Sequence, residues 1–196
     1  MIRAYDRCVT SNDPHPTRAI ASIRVQPVTP ALAAGVRALQ VTSEQREYVG
    51  DAAFNLAQAQ ADPLSEAMAI LAGDDVIGFY RLDFAPNAVA GRGFGTPSVG
   101  LRAFMLDLAQ QGQGHGTRAA VALCDDLHRR HPERRLIVLM VNCRNRAAVA
   151  AYRKAGFVDT GELHAGGRAG PQHLMLRGLH GNDPRPGEIV YNGVGQ

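Results

Sequence analysis

Apolar residues recur with two different periods along the chain, and the periods predict strands and helices in a definite order. A strand over residues 22–28 precedes a helix to about residue 40, whose start has Thr29 as N-cap and Pro30 at the first helical position. A second helix begins at Thr42, where Gln45 completes a capping box. Its stripe of Tyr48, Val49, Ala52, Leu56 and Ala59 predicts one continuous amphipathic helix.

The middle of the chain changes to the period of two that is typical of strands. Residues 68–72 and 76–83 predict a hairpin around the turn at residues 73–75. Residues 86–97 contain three glycines without a following helix, so a flexible loop is expected there. Residues 99–106 then predict the next strand.

The second half alternates helices and strands. A helix from Gly114 to the region of Pro132 carries an apolar stripe, and residues 136–141 form the continuous apolar run of a strand buried on both faces. Asn145 predicts the N-cap of a helix that ends near Gly156. Residues 157–162 and 172–179 predict a final hairpin. This order indicates an α/β (α+β) fold, with helices on both faces of a mixed sheet.

Composition bounds the organisation of the chain. With 196 residues and 45% hydrophobic content, one domain over residues 21–180 is expected, with a loose arm at 1–20 and a tail at 181–196. The net charge of +3 comes from scattered basic residues, which gives a nucleic-acid role little support. The apolar residues 189–191 of the tail allow packing on the domain or a homodimer.

Cysteine usage and hydropathy indicate a cytoplasmic protein. Cys8, Cys124 and Cys143 are odd in number and widely spaced, which predicts reduced thiols and no metal site. No apolar run reaches the ~18 residues that a membrane helix needs, and the first residues lack the apolar core of a signal peptide. No membrane role is therefore expected.

The chemistry concentrates in the run Gln111-Gly112-Gln113-Gly114-His115-Gly116, which lies between a predicted strand and the first turn of a helix. Backbone N–H groups are unpaired at that point and the helix dipole is positive, so anions bind there readily. Glycines would let a phosphate approach these donors. A dinucleotide fingerprint is excluded because Thr117 stands where its third glycine would fall, and the chain has no P-loop G-K-[ST] triplet.

A second pair of candidate functional residues follows the apolar strand at residues 136–141. Tyr152 lies seven residues after Asn145, two helical turns later on the same face, about 10 Å along the axis. Both side chains can therefore point toward one ligand.

Together these motifs resemble the GNAT superfamily of acetyl-CoA-dependent N-acetyltransferases. Residues 111–116 match the signature [RQ]-x-x-G-x-[GA], and residues 145–157 match N-x-x-A-x-x-x-Y-x-K-x-G-F. Residues 41–49 and 104–107 are similar, more narrowly, to the bacterial polyamine acetyltransferase branch. The segment after that strand departs from the branch, with Leu108 in place of the usual proline.

The resemblance implies a mostly antiparallel central sheet with splayed central strands, a bulge in the strand before the glycine loop, and acetyl-CoA as cosubstrate. It implies that backbone groups of Phe104, Met105 and Leu106 pair with pantetheine, one N–H acting as oxyanion donor. Asn145 would hold the pantetheine arm, and Tyr152 would protonate the departing thiolate. The implied pyrophosphate site comprises Gln111, Gly112, Gln113, Gly114, His115, Gly116 and Thr117, with the His115 side chain incidental.

The expected acceptor is a primary amine, either a small amine or a polyamine, attacking directly. Because an alkylamine is almost wholly protonated at pH 7, a base is needed, and Glu66, Asp83, Glu162 or a water chain are candidates. Tyr48 or Glu47 could touch the acceptor. Acids suited to a polyamine are Glu44, Glu47, Asp51 and Asp83. The alternatives are acetylation of a protein N-terminus or lysine, and a non-catalytic acyl-CoA sensor.

Overall fold

The computed structural model describes residues 22–167 and 169–180. The expectations for the arm at 1–20, for Cys8 and for the tail from 181 lie outside these residues. The elements are β1 (Ile23–Pro27), α1 (Pro30–Ala38), α2 (Ser43–Val49), α3 (Ala52–Ala61), β2 (Ser65–Ala72), β3 (Asp75–Asp83), β4 (Ser98–Leu106), a short 3-10 helix (Leu108–Gln110), α4 (His115–Arg130), β5 (Leu136–Asn142), α5 (Arg146–Lys154), β6 (Val158–His164) and β7 (Gln172–Gly178).

The strands form one seven-stranded sheet in the order β1-β2-β3-β4-β5-β7-β6. Each neighbouring pair is antiparallel except β4 and β5, which run parallel. The mixed, mostly antiparallel sheet predicted from the sequence is therefore confirmed. The final hairpin folds back so that β7 lies against β5 and β6 forms the edge.

Helices cover both faces because the strands alternate their side chains between two cores. Met68 and Ile70 pack with α4 and α5, whereas Ala69 and Leu71 pack with α1 and α3. A third cluster lies over β5 and β7, where Val89 and Phe94 cover Val138. Residues 86–97 form an irregular connection as predicted, but these two buried side chains anchor it to the sheet.

The central strands diverge. β4 pairs with β5 only from Ser98 to Leu101, against Leu136 to Leu139, and no register pair joins the later residues of the two strands. On its other side, β4 shifts register against β3 between Phe79 and Arg81. Ala103 lies in this bulge with φ of 50°, a left-handed conformation that few residues with a Cβ adopt. The predicted splay is thus present, and a bulge accompanies it.

The continuous helix expected after Thr42 is wrong. The Thr42–Gln45 capping box is present, but α2 ends at Gly50, whose φ is 77°. Asp51 then caps α3 by accepting a hydrogen bond from the Phe54 N–H. Gly50 is suited to ending a helix and Asp51 to starting the next one. The apolar stripe is therefore divided between two helices.

Candidate active site

The glycine-rich loop and the start of α4 form a turn that requires positive φ. Gly112 and Gly114 both have φ of 73°, and Gly114 is the N-cap of α4. A Cβ added at Gly112 would meet no atom within 4 Å, so the loop is open on that side. The amides of the first helical turn therefore face space that an anion can occupy.

The Gln111 side chain anchors this loop to its neighbours. Its amide donates to the Leu106 carbonyl at 3.0 Å and to the Gln45 side-chain oxygen at 3.1 Å. Gln45 donates in return to the Gln111 side-chain oxygen at 2.8 Å. The residue that closes the capping box of α2 thus also binds the loop, which joins α2, the end of β4 and the glycine turn.

Two members of the predicted pyrophosphate site do not line the cleft beside this loop. Gln113 is exposed and donates to the Ala109 carbonyl at 3.0 Å. The His115 side chain is buried, and burial together with the nearby Arg118 guanidinium lowers its pKa. Any contribution of these two residues to phosphate binding would come from their backbone. Thr117 does line the cleft.

The cleft has a volume of about 340 Å³ and lies between the splayed strand and α5. Phe104, Met105 and Leu106 line one wall. The α5 wall is made of small side chains, Ala147, Ala148, Ala150 and Ala151, and ends at Lys154. Of the other predicted cofactor residues, Gln111, Gly112, Gly114, Gly116, Thr117 and Asn145 also line the cleft, together with Val41, Gln45 and Val49.

A second cavity of about 260 Å³ adjoins this cleft, and we call it the acceptor cavity. The two spaces share Val49, Phe104, Asn145 and Ala148 as lining residues. The α2 end of the acceptor cavity contains Tyr48, as predicted, whereas Glu47 is not among its lining residues. The Tyr48 hydroxyl donates to the Glu44 carboxylate at 2.8 Å, and this hydrogen bond raises its pKa.

Tyr152 and Asn145 lie on the same face of α5, as their spacing predicts. Asn145 caps the helix by accepting from the Ala148 N–H at 3.2 Å, and both residues line the acceptor cavity. The Tyr152 ring is buried between Phe104 at 5.7 Å and Phe157 at 5.4 Å. Burial raises its pKa above the ordinary value near 10, so the phenol stays protonated at neutral pH.

The carboxylates considered as bases are all held by cations. Glu66 accepts from Arg130 at 2.7 Å, and Glu162 from Arg92 at 2.6 Å. Asp83 is buried and binds the Arg102 Nε at 2.7 Å. Among the described residues, no carboxylate lines the cleft or the acceptor cavity.

Basic side chains line both the cleft and the acceptor cavity, and the sequence motifs did not assign them a role. Arg81 and Arg102 line the acceptor cavity, and Lys154 lines the cleft. Arg118 donates to the Gln113 carbonyl at 3.2 Å, which places its guanidinium beside the glycine loop. Arg118 follows the loop directly and Lys154 belongs to the matched motif, so proximity to those motifs could have indicated both.

Within residues 22–167 and 169–180, no group of three or more His, Cys, Asp and Glu side chains is arranged to hold a metal ion. No helix in the described part of the chain combines the length and apolar character needed to span a membrane.

A splayed sheet with an open helix start and a cleft along the free strand edge is the arrangement expected of an acyl-CoA-dependent transferase. The chain belongs to the acetyltransferase (GNAT) family, whose model matches residues 35–157, and it is a GNAT-type acyl-CoA N-acyltransferase. No curated protein sequence matches the chain.

Solved structures show the same fold. The aminoglycoside acetyltransferase AAC(6')-Ib, solved with paromomycin and acetyl-CoA, is 22% identical, with a TM-score of 0.61 over 80% of this chain and 93% of that one. Spermidine N-acetyltransferase from Vibrio cholerae, solved with CoA and spermine, is 16% identical, with a TM-score of 0.60 over 81% and 96%. An aminoglycoside N(6')-acetyltransferase from Legionella pneumophila is 14% identical, with a TM-score of 0.62 over 81% and 92%.

Proposed function

We propose that this protein transfers the acetyl group of acetyl-CoA to a primary amine of a small molecule by direct attack. The proposal depends most on one observation: Phe104 and Asn145 line both the cleft and the acceptor cavity, so the two spaces meet at the end of β4. An amine in one space can reach a thioester in the other without a covalent enzyme step.

Different parts of the cleft suit the pyrophosphate and the pantetheine arm of acetyl-CoA. Gly112 and Gly114 leave the N-terminal amides of α4 open to a pyrophosphate, with Arg118 adding positive charge nearby. Within the described part of the chain, the edge of β4 beyond Leu101 has no strand partner on the β5 side, so its backbone groups are available to the amides of a pantetheine arm. Acetyl-CoA supplies the activated acetyl thioester.

The end of β4, Asn145 and Tyr152 then have distinct roles. A backbone N–H among Phe104 to Leu106 donates to the thioester oxygen, where negative charge develops during attack. Asn145 holds the pantetheine arm. Tyr152 donates its proton to the sulfur that leaves, and its raised pKa keeps that proton in place until it is needed.

The attacking amine must lose a proton. The described lining of the acceptor cavity contains no carboxylate, and Glu66 and Glu162 are ion-paired outside it. We therefore assign proton removal to water in the cavity, with no side chain as the base.

The size of the acceptor cavity supports a small acceptor. Its volume of about 260 Å³ is below the roughly 300–1,000 Å³ typical of sites for drug-sized ligands. Solved neighbours bind spermine or an aminoglycoside, which supports an amine acceptor in general. A protein N-terminus or lysine is the second candidate, and it is weaker because the cavity is bordered by α2 and residues 88–89.

We propose a cytoplasmic location for this activity, because the three cysteines of the sequence are odd in number and widely spaced. A homodimer remains a proposal that rests on the tail at residues 189–191, outside the described residues.

Thiol release from acetyl-CoA, measured with the purified protein across small amines, polyamines, aminoglycosides, amino acids and peptides, tests the proposal. We expect turnover with a small amine and its loss in Tyr152→Phe. Acetyl-CoA binding without transfer to any acceptor would instead favour the non-catalytic sensor.

A further inference from the structure

The acceptor cavity contains more positive than negative charge. Arg81 on β3 and Arg102 on β4 are direct partners in the strand register, so their side chains emerge on the same face of the sheet. Like charges placed directly opposite destabilise a strand pair. Among the described residues, Asp83, two positions from Arg81, is the carboxylate within 4 Å of both arginines.

Asp83 is bound mainly to one of the two arginines. Its Oδ2 accepts from the Arg102 Nε at 2.7 Å, whereas the nearest Arg81 nitrogen lies 3.9 Å away. Its Oδ1 accepts from the Ala85 N–H at 3.1 Å. Arg102 also donates to the Ala88 carbonyl. The Asp83 carboxylate therefore binds Arg102 directly, whereas Arg81 has no carboxylate within hydrogen-bonding distance among the described residues and is attracted to Asp62 only at longer range.

Arg81 has hydrogen-bonding capacity that the protein does not use. Its side chain is only 16% exposed, and its buried Nε has no hydrogen-bond partner among the described residues. Because Arg81 also lines the cavity, a ligand there can accept hydrogen bonds from its guanidinium. Its planar fork matches a carboxylate, which accepts two parallel hydrogen bonds.

The other polar residues that line the cavity carry no charge to oppose this arginine. They are Tyr48, Asn55, Asn142, Asn145, Tyr152 and Gln172. Of the acids suited to a polyamine, Glu44 binds Tyr48, Asp51 caps α3, and neither lines the cavity. A polyamine would place several ammonium groups beside two guanidinium groups, which is unfavourable.

We infer that the acceptor is an amine that also carries a carboxylate, as an amino acid does, and that Arg81 binds the carboxylate with support from Arg102. This inference rests on the proposed function and narrows its acceptor class.

Matched acceptors test the inference. For each of several amino acids, thiol release is measured with the amino acid, its primary amide and the amine that lacks the carboxyl group. We expect kcat/KM to be roughly 10- to 100-fold higher with the carboxylate, the effect expected of a charge-assisted hydrogen bond. Amides or polyamines that serve equally well would overturn the inference and leave the proposed function standing. An aminoalkyl phosphate that outperforms every carboxylate would overturn the choice of carboxylate.

Variants of Arg81 distinguish a specific effect of this side chain from an effect of the overall positive charge. Arg81→Gln should remove the preference for the carboxylate while the KM for acetyl-CoA stays constant, because Arg102 still holds Asp83. Arg81→Lys should restore part of the preference, since it keeps the charge without the fork. The control is Arg37→Gln, which removes an exposed charge on α1 and should change nothing. A preference that persists in Arg81→Gln would contradict the inference.

Calorimetry of the CoA-bound protein distinguishes the inference from the proposed function. Carboxylate-dependent binding of amino acids that is lost in Arg81→Gln would support the inference even if no acetyl transfer were found. Absence of such binding at millimolar ligand would overturn it.

Discussion

The Phe104 and Tyr152 rings meet edge to face with their centroids 5.7 Å apart, at the place where the cleft adjoins the acceptor cavity. Phe104 belongs to the free edge of β4 and Tyr152 to the face of α5. Their contact therefore joins the strand proposed to bind pantetheine to the helix that carries the proposed acid.

Tyr152→Phe keeps this ring contact and removes only the hydroxyl. We expect kcat for acetyl transfer to fall roughly 10²- to 10⁴-fold, the range for loss of a general acid, while the KM for acetyl-CoA changes little. Tyr80→Phe is the matched control because the Tyr80 hydroxyl is buried without a partner among the described residues and lines neither space. Equal activity of the two variants would exclude Tyr152 as the acid.

Gly112→Ala tests the glycine turn. An L residue at φ of 73° costs about 1–2 kcal/mol, and an added methyl group enters the open side of the loop. We expect lower stability in urea together with a higher KM for acetyl-CoA. Gly73→Ala has a similar backbone angle of 62° and similarly open space in the β2–β3 turn. It should lose comparable stability and keep its KM.

Gln111→Ala tests whether the amide pair with Gln45 positions the loop. Loss of these hydrogen bonds should raise the KM for acetyl-CoA roughly 5- to 10-fold, since each contributes about 1 kcal/mol. Gln113→Ala removes an exposed amide of the same loop and should have little effect. The double variant Gln45→Ala with Gln111→Ala should be less damaging than the sum of the single ones, and strict additivity would show that the pair is not coupled.

The pH profile tests the absence of a side-chain base. With an alkylamine acceptor, kcat/KM should rise about tenfold per pH unit from pH 6 to 8, following the neutral fraction of the amine. No decline is expected up to about pH 9, because the raised pKa of Tyr152 keeps the phenol protonated. A plateau beginning near pH 6 or 7 would show that a group on the protein accepts the proton.

The depressed pKa of His115 predicts a pH-dependent stability. In the unfolded chain this imidazole takes up a proton near its ordinary pKa of about 6.5, whereas burial delays protonation in the folded state to lower pH. The unfolded state therefore binds more protons as pH falls through this window, and the free energy of unfolding should decrease. His115→Gln should flatten that dependence in urea melts at pH 5 to 7.5. The exposed His164→Gln should leave it as in the wild type.

Much of the site was predictable because its motifs are contiguous. The glycine turn lies within six residues, and Asn145 and Tyr152 lie on one helix, so local rules of helix geometry bring them together. The break between α2 and α3 was also predictable, since Gly50 is a typical helix C-cap and Asp51 a typical N-cap. The break was missed because the apolar stripe continues from one helix into the next.

Charge relationships between distant residues were not predictable from these patterns. Arg81 opposes Arg102 only because a bulge shifts the register of β4 against β3, and no local pattern specifies that register. The same reason applies to Glu66, whose partner Arg130 lies 64 residues away. The sequence identifies Glu66, Asp83 and Glu162 as possible bases only because they are carboxylates. In the folded chain each is ion-paired with an arginine, and such a carboxylate is a poorer proton acceptor.

The divergence of β4 from β5 also bears on aggregation. An unpaired strand edge on the outside of a sheet is a template for strands of other molecules, and proteins usually cover or charge such edges. Here the free edge from Arg102 to Leu106 lies in the middle of the sheet, flanked by α5 and by the far end of β5. Because this edge lies between two strands of one sheet, it is not at the outer rim, where strands of other molecules usually add. We therefore expect this row of backbone donors and acceptors to be available to a ligand with little tendency to pair with a second molecule.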